Sequence, residues 1–79
     1  MQIEVKLFAT FREHLPSDSG PFSCSIDIET GTPVLDVLKR FQIPEEAPKI
    51  LLVNGLHARP QDTLQDGDVL SVFPPLAGG

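Results

Sequence analysis

The residues whose types and spacing could do chemistry lie at the C-terminal end: Phe73-Pro74-Pro75-Leu76-Ala77-Gly78-Gly79. An apolar alternation stops at Phe73, two prolines deny a sheet ladder its next donors, and the sequence closes on two glycines. Without Cβ atoms, Gly78 and Gly79 can take any φ/ψ and fit a channel too narrow for side chains. Pro74 and Pro75 favour an extended root that holds the terminus away from the body. The reactive group this arrangement serves is the α-carboxylate of Gly79, with residues 74–79 read as a flexible tail. The plain alternative is a frayed, glycine-rich end without a role.

Other reactive residue types give weaker signals. Cys24 alternates with Phe22 and Ile26, which predicts an inward thiol behaving as a small apolar group. His14 and His57 stand far apart with no carboxylate pattern beside either, so both are expected at the solvated surface. Asp66 and Asp68 flank one glycine, too few ligands for a calcium loop and sufficient for a turn. Glu45 and Glu46 read as a solvated loop. No metal site is expected.

Composition narrows the classes. A chain of 79 residues forms one small domain, residues 1–79, burying roughly 60% of its unfolded surface, with no room for an enclosed active site. A formal charge of −5 with six dispersed Lys and Arg argues against nucleic acid and for a basic protein partner. One cysteine excludes an internal disulfide and any four-cysteine metal centre. Met1 to Lys6 alternate polar and apolar, unlike a signal peptide, and no apolar run approaches a membrane span, so the expected location is cytoplasmic.

The elements that must position the tail follow from periodicity. Ile3, Val5 and Leu7 alternate with polar residues and predict a first strand. Ala9 to Leu15 predicts one or two helical turns, with Thr10 as a weak cap and Pro16 closing it. Phe22, Cys24, Ile26 and Ile28 form the inward side of a second strand. Thr32 is the expected N-cap and Pro33 the first residue of the main helix, whose apolar stripe is Val34, Val37, Leu38 and Phe41 and whose end is set by Pro44. Ile50 to Val53 is a third strand, and Asn54-Gly55 turns it into a brief edge strand within Leu56 to Arg59. Gln61 to Leu64 reads as a 3₁₀ turn, Asp66-Gly67-Asp68 as a tight turn, and Val69 to Phe73 as the last strand. One main helix on a mixed five-stranded sheet, with the first and last strands parallel at its middle, is an α+β roll of the β-grasp, ubiquitin-like type.

Several stretches then match a known family. Lys6-Leu7-Phe8-Ala9-Thr10-Phe11-Arg12-Glu13, Val53-Asn54-Gly55, Leu64-Gln65-Asp66-Gly67-Asp68-Val69 and the tail Phe73 to Gly79 resemble the MoaD/ThiS family of ubiquitin-like sulfur carriers, over essentially the whole chain. Within it, the helical segment after the first strand and the Pro74-Pro75 pair look most like the small subunit of molybdopterin synthase. The resemblance implies that an E1-like enzyme uses ATP to adenylate Gly79, and that sulfur displaces the adenylate to leave a thiocarboxylate. The carrier then donates that sulfur while bound to the large synthase subunit. It implies no cofactor bound to this chain, and places the catalytic groups of the sulfurtransferase on the partners. Carriers for thiazole synthesis tend to be shorter and to lack that helical segment and the double proline, whereas relatives serving other sulfur pathways or tungsten enzymes share both, so those alternatives stay open.

Two further classes compete with the carrier. A ubiquitin-like modifier would use the same activated Gly79 to form an isopeptide with a lysine of a target. A plain β-grasp binding module would carry the tail incidentally. Gly78, Ala77 and Leu76 are the tail residues that let Gly79 reach, and Phe73, Pro74, Pro75 and Leu76 are the proposed docking residues. Phe73 shares a strand face with Val69 and Ser71, opposite Leu70 and Val72, and so reads either as an exposed aromatic anchor or as a cover for the sheet end.

Overall fold

The computed structural model describes residues 1–75. Five strands are present: β1 (Gln2–Leu7), β2 (Ser23–Asp27), β3 (Ile50–Val53), β4 (Leu56–His57) and β5 (Val69–Phe73). A 3₁₀ helix, Ala9–His14, follows β1, and the α-helix α1 (Val34–Arg40) connects β2 to β3. The sheet order is β2-β1-β5-β3-β4. β1 and β5 run parallel at its middle, and every other pair is antiparallel. This is the β-grasp arrangement expected from the order of the elements.

The inward side chains of the central strands make the floor of the core. Val5 and Leu7 of β1 lie opposite Leu70 and Val72 of β5, Ile3 precedes them on the same face, and Leu51 of β3 continues the row. Val34, Val37 and Leu38 of α1, with Phe41 at its C-cap, cover them, so the predicted stripe is the buried face of the helix. Phe11, Ile28, Ile43 and Leu64 close the sides, and all fourteen buried apolar residues join one cluster.

Helix α1 starts and stops by other means than expected. Thr32 is no cap: its hydroxyl donates to the Glu29 carbonyl at 2.7 Å, and Pro33 takes the cap position. The first helical donors are satisfied by the returning chain, Val34 N–H to the Asp62 carbonyl and Leu35 N–H to the Pro60 carbonyl, both at 2.8 Å. The same requirement explains why Gln61 to Leu64 is not a 3₁₀ turn. It runs antiparallel to the helix entry, with Thr63 bridging Pro33 and Leu64 N–H donating to the Thr32 carbonyl at 3.1 Å.

The helix stops before Pro44. Gln42 takes φ 61°, Ile43 N–H donates back to the Leu38 carbonyl at 3.0 Å and Gln42 N–H to the Lys39 carbonyl at 2.9 Å. These two bonds form a Schellman motif, with glutamine where glycine is favoured.

The β3–β4 turn is the predicted one. Asn54 (φ 54°) and Gly55 (φ 84°) both take the left-handed region that a two-residue type I′ turn requires. The Asn54 side chain also reaches β5, accepting from Val69 N–H and donating to an Asp68 carboxylate oxygen, both at 2.9 Å. Asp68 accepts from Gln65 N–H, and Asp66 accepts from Gln2 N–H, each at 2.8 Å. Asp68 thus fixes its own turn, and Asp66 ties that turn to the start of β1.

Strand β2 departs from the alternation read from the sequence. It is an edge strand paired on one side only, so Cys24 and Ile26 are half-buried and not enclosed. Ile28 is buried as expected, but Phe22 is exposed and lies before the strand begins. Thr10 does not cap the 3₁₀ helix; Phe8 precedes it with no side-chain capping bond. His14 is half-buried, its ring centroid 6.4 Å from that of Phe11, whereas His57 is exposed.

Candidate functional site: the root of the tail

The tail leaves from the central strand. β5 is paired on both sides, with Val72 opposite Leu7 of β1 and Phe73 opposite Ile50 of β3. Phe8 N–H donates to the Val72 carbonyl at 3.1 Å, tying the end of β1 to the end of β5. Pro74 has no N–H to extend the ladder. Pro74 is half-buried and Pro75 exposed. Leu76, Ala77, Gly78 and Gly79 lie outside the described residues, so the expectations for these four residues, the extent of the tail among them, fall there too.

Phe73 answers to both readings offered for it. It points away from the core, on the face of Val69 and Ser71, while Leu70 and Val72 have no exposed surface. It is nonetheless half-buried, because the Phe8 ring stacks on it with centroids 4.3 Å apart and planes 2° from parallel. The other side of the stack is Phe22, whose centroid is 5.5 Å from that of Phe8 at 23°. Of the five phenylalanines, Phe11 and Phe41 are core, and the other three make one stack at the end of the sheet where the tail departs.

Sequence reasoning gave no role to Phe8 and misplaced Phe22. The signal for Phe8 was available: Gln2, Glu4 and Lys6 are the outward residues of β1, and one more step of two reaches Phe8. The parallel register sets Lys6 beside Ser71, so the next outward pair is Phe8 and Phe73. Phe22 gave no such signal. Strand alternation would send it inward opposite Leu7, and only the bend before β2 frees its ring to turn onto Phe8.

This end of the molecule also carries backbone strain. Ala9, next to Phe8, has φ 54°. For a residue with a Cβ that conformation costs roughly 1–2 kcal/mol. The kink turns the chain from β1 straight into the 3₁₀ helix, where Phe11 N–H donates to the Phe8 carbonyl at 3.1 Å. Leu7 N–H donates to the Phe22 carbonyl at 2.8 Å, and Arg12 Nε holds the Pro21 carbonyl at 3.0 Å. The loop carrying Phe22 is therefore tied to both β1 and the 3₁₀ helix.

Beyond the stack, the uncovered face of the three inner strands is mostly uncharged. It presents Ile50 and Leu52 of β3, Val69, Ser71 and Phe73 of β5, and Glu4 and Lys6 of β1, all half-buried. The groove between α1 and β2 that is lined by Asp27, Glu29, Asp36 and Arg40 lies at the other end of the sheet, and Arg40 there is bound to the Asp27 carbonyl at 2.6 Å. Burial pushes the Cys24 thiol up, partly offset by Ser19, with Asp18 adding less to the rise and Arg40 opposing it least. A raised thiol pKa keeps the less nucleophilic protonated form at neutral pH.

Comparison with known proteins agrees with the fold. The model of the ThiS family matches residues 5–79. The chain belongs to the ThiS family. A family relative, small archaeal modifier protein 3 of Haloferax volcanii, is 33% identical over 96 aligned positions spanning the whole of both chains. The crystal structure of small archaeal modifier protein 1 from the same organism superposes with a TM-score of 0.73 at 25% identity over the full length of both chains. A Pyrococcus furiosus protein assigned as molybdopterin converting factor, subunit 1, gives 0.73 at 28% identity, covering 95% of this chain and 98% of that one. A complex of subunits 1 and 2 of that factor from Helicobacter pylori shares the fold, with a TM-score of 0.65 at 22% identity. The ThiS family comprises ubiquitin-like sulfur carriers and modifiers, and that is the functional class of this chain.

Proposed function

We propose that the chain is a sulfur carrier whose working atom is the terminal carbon of Gly79, and that it serves as the small subunit of molybdopterin synthase. The observation that supports this most is the continuity of the family match through Gly79 with a fold that sends Pro74-Pro75 out from the central strand. A carboxylate is a poor electrophile until one oxygen becomes part of a phosphate leaving group. An E1-like partner supplies that activation: a carboxylate oxygen attacks the α-phosphorus of ATP and pyrophosphate departs. A sulfide-level nucleophile then attacks the acyl carbon, and AMP leaves with the bonding electrons. The product is a thiocarboxylate, ionised and nucleophilic at neutral pH, for use by the large synthase subunit.

In this scheme ATP is the activating partner's substrate, and this chain binds no cofactor. Its own residues contribute a slim terminus, Gly78 and Gly79, a spacer of Leu76 and Ala77, and a docking root at Phe73, Pro74 and Pro75. The test is ATP-dependent pyrophosphate exchange by an E1-like enzyme from the same cells, with the native chain and with a chain extended by two residues after Gly79. Exchange with the native chain alone is the expected result; equal exchange with both would leave the incidental-tail reading standing.

A second reading is favoured by the two archaeal modifier proteins among the relatives. Here a target lysine amine attacks the activated Gly79 carbon and an isopeptide replaces the adenylate. Protein adducts that disappear when Gly79 is deleted would favour the modifier; a molybdopterin synthase activity restored by the loaded chain would favour the carrier.

A further inference from the structure

We infer that Phe8 is a positioning residue for the tail: its ring, held between Phe22 and Phe73, fixes the direction in which Pro74 and Pro75 leave the sheet. The inference rests on the reading of Gly79 as the reacting residue. Its starting point is that the backbone ladder ends at Phe73, whose partner is Ile50, and that proline offers no donor to continue it. The last side chain before the root is that of Phe73. That side chain has one aromatic neighbour, Phe8, at 4.3 Å and 2°.

Phe8 is built so as not to yield. Its N–H is bonded to the Val72 carbonyl, its carbonyl accepts from Phe11 N–H, and the next residue, Ala9, is held in the left-handed region. Its far face is covered by Phe22, on a loop anchored through the Leu7 N–H bond and the Arg12 guanidinium. Strain kept in a residue with a Cβ, immediately beside the ring that grips the root, is placed where orientation of the tail is decided. A root oriented before binding spares the partner the ordering of these residues. Loss of the Phe8 ring should therefore weaken capture of the tail while leaving the bound reaction intact.

The experiment compares native chain, Phe8→Ala, Phe8→Leu and Phe8→Tyr as substrates for adenylation by the E1-like enzyme. The residual dipolar couplings of the Pro74 and Pro75 Cα–Hα bonds are measured in the free proteins. Phe8→Leu keeps an apolar side chain without a flat ring, and Phe8→Tyr keeps the ring; thermal unfolding checks that each is folded at the assay temperature. The expected result is a KM raised about tenfold for the Ala and Leu variants, with kcat within about twofold of native. The Tyr variant should return to native values, and the proline couplings should shrink in Ala and Leu only. Should Phe8→Ala fail to fold, Phe8→Leu carries the comparison. An unchanged KM in the ring-less variants, or a fall in kcat with KM unmoved, overturns the inference. Absence of adenylation of the native chain would remove the carrier and modifier readings, and the couplings then decide alone: shrunken in the ring-less variants they uphold the positioning role, unchanged they refute it.

Discussion

The two faces of one sheet are built to different standards. On the helix side, Leu7, Leu70 and Val72 have no exposed surface, and they belong to one core cluster with the apolar residues of α1. On the other side, one residue along the same strands, Lys6, Ser71 and Phe73 remain half-exposed, and the packing there consists of a stack of three rings ending at the tail. Alternation of period two makes both faces from a single stretch of chain, so each residue of β5 belongs to stability or to recognition but seldom to both. Substitutions on the two faces should therefore separate loss of fold from loss of function.

The largest effect is expected on the covered face. Leu70→Ala removes most of a fully buried side chain and should cost about 2–5 kcal/mol. That is a large share of the roughly 4–12 kcal/mol available to a domain of this size. Urea unfolding should show the midpoint falling steeply; a loss below about 1 kcal/mol would place Leu70 outside the structural core. On the uncovered face, Phe73→Ala should cost only about 1–2 kcal/mol, because a half-buried ring and one stacking contact are lost. Its adenylation or partner binding should fall well beyond what the lost stability accounts for. A Phe73→Ala protein as unstable as Leu70→Ala would erase the distinction between the faces.

Smaller changes sharpen it. Gln42→Gly relieves a left-handed residue at the end of α1, far in sequence from the tail, and should stabilise by about 0.5–1 kcal/mol without altering activity. Differential scanning calorimetry would read the gain as a higher Tm, and a loss would mean that the glutamine side chain matters more than its φ. The least effect concerns Cys24. With its thiol pKa raised above the ordinary 9.0 by burial, the folded chain keeps that proton more tightly than the unfolded chain. The corresponding stabilisation is complete below the unfolded pKa and is lost as pH rises through the alkaline range. Alkylation of Cys24 in the folded protein should be slower at neutral pH than in the urea-unfolded chain; an equal or faster rate would mark a reactive thiol.

How much of this was legible in the sequence follows the physics of each signal. Periodicity in Ile3-Val5-Leu7, in the stripe of α1 and in Val69 to Phe73 located the core face, because burial of one face imposes those spacings. The Asn54-Gly55 turn was legible because few residues tolerate two successive positive φ angles. What failed depended on distant segments. Thr32 has the right chemistry to cap α1, but the Asp62 and Pro60 carbonyls take the helical donors first. Phe22 continues a clean alternation, but the chain bends before β2 begins, and although its carbonyl still accepts from Leu7 N–H the ring lies against Phe8. For the candidate site, the outward direction of Phe73 was readable from alternation, whereas the ring stack needed the β1–β5 register as well.

The most direct test of the account is the intact mass of the chain after incubation with an E1-like activating enzyme, ATP and a sulfide donor. The account predicts a gain equal to replacing one oxygen by sulfur, located by fragmentation at Gly79 and absent from a chain lacking that residue. Full adenylation capacity in the enzyme with no mass change on this chain, or a gain located anywhere but Gly79, would contradict it.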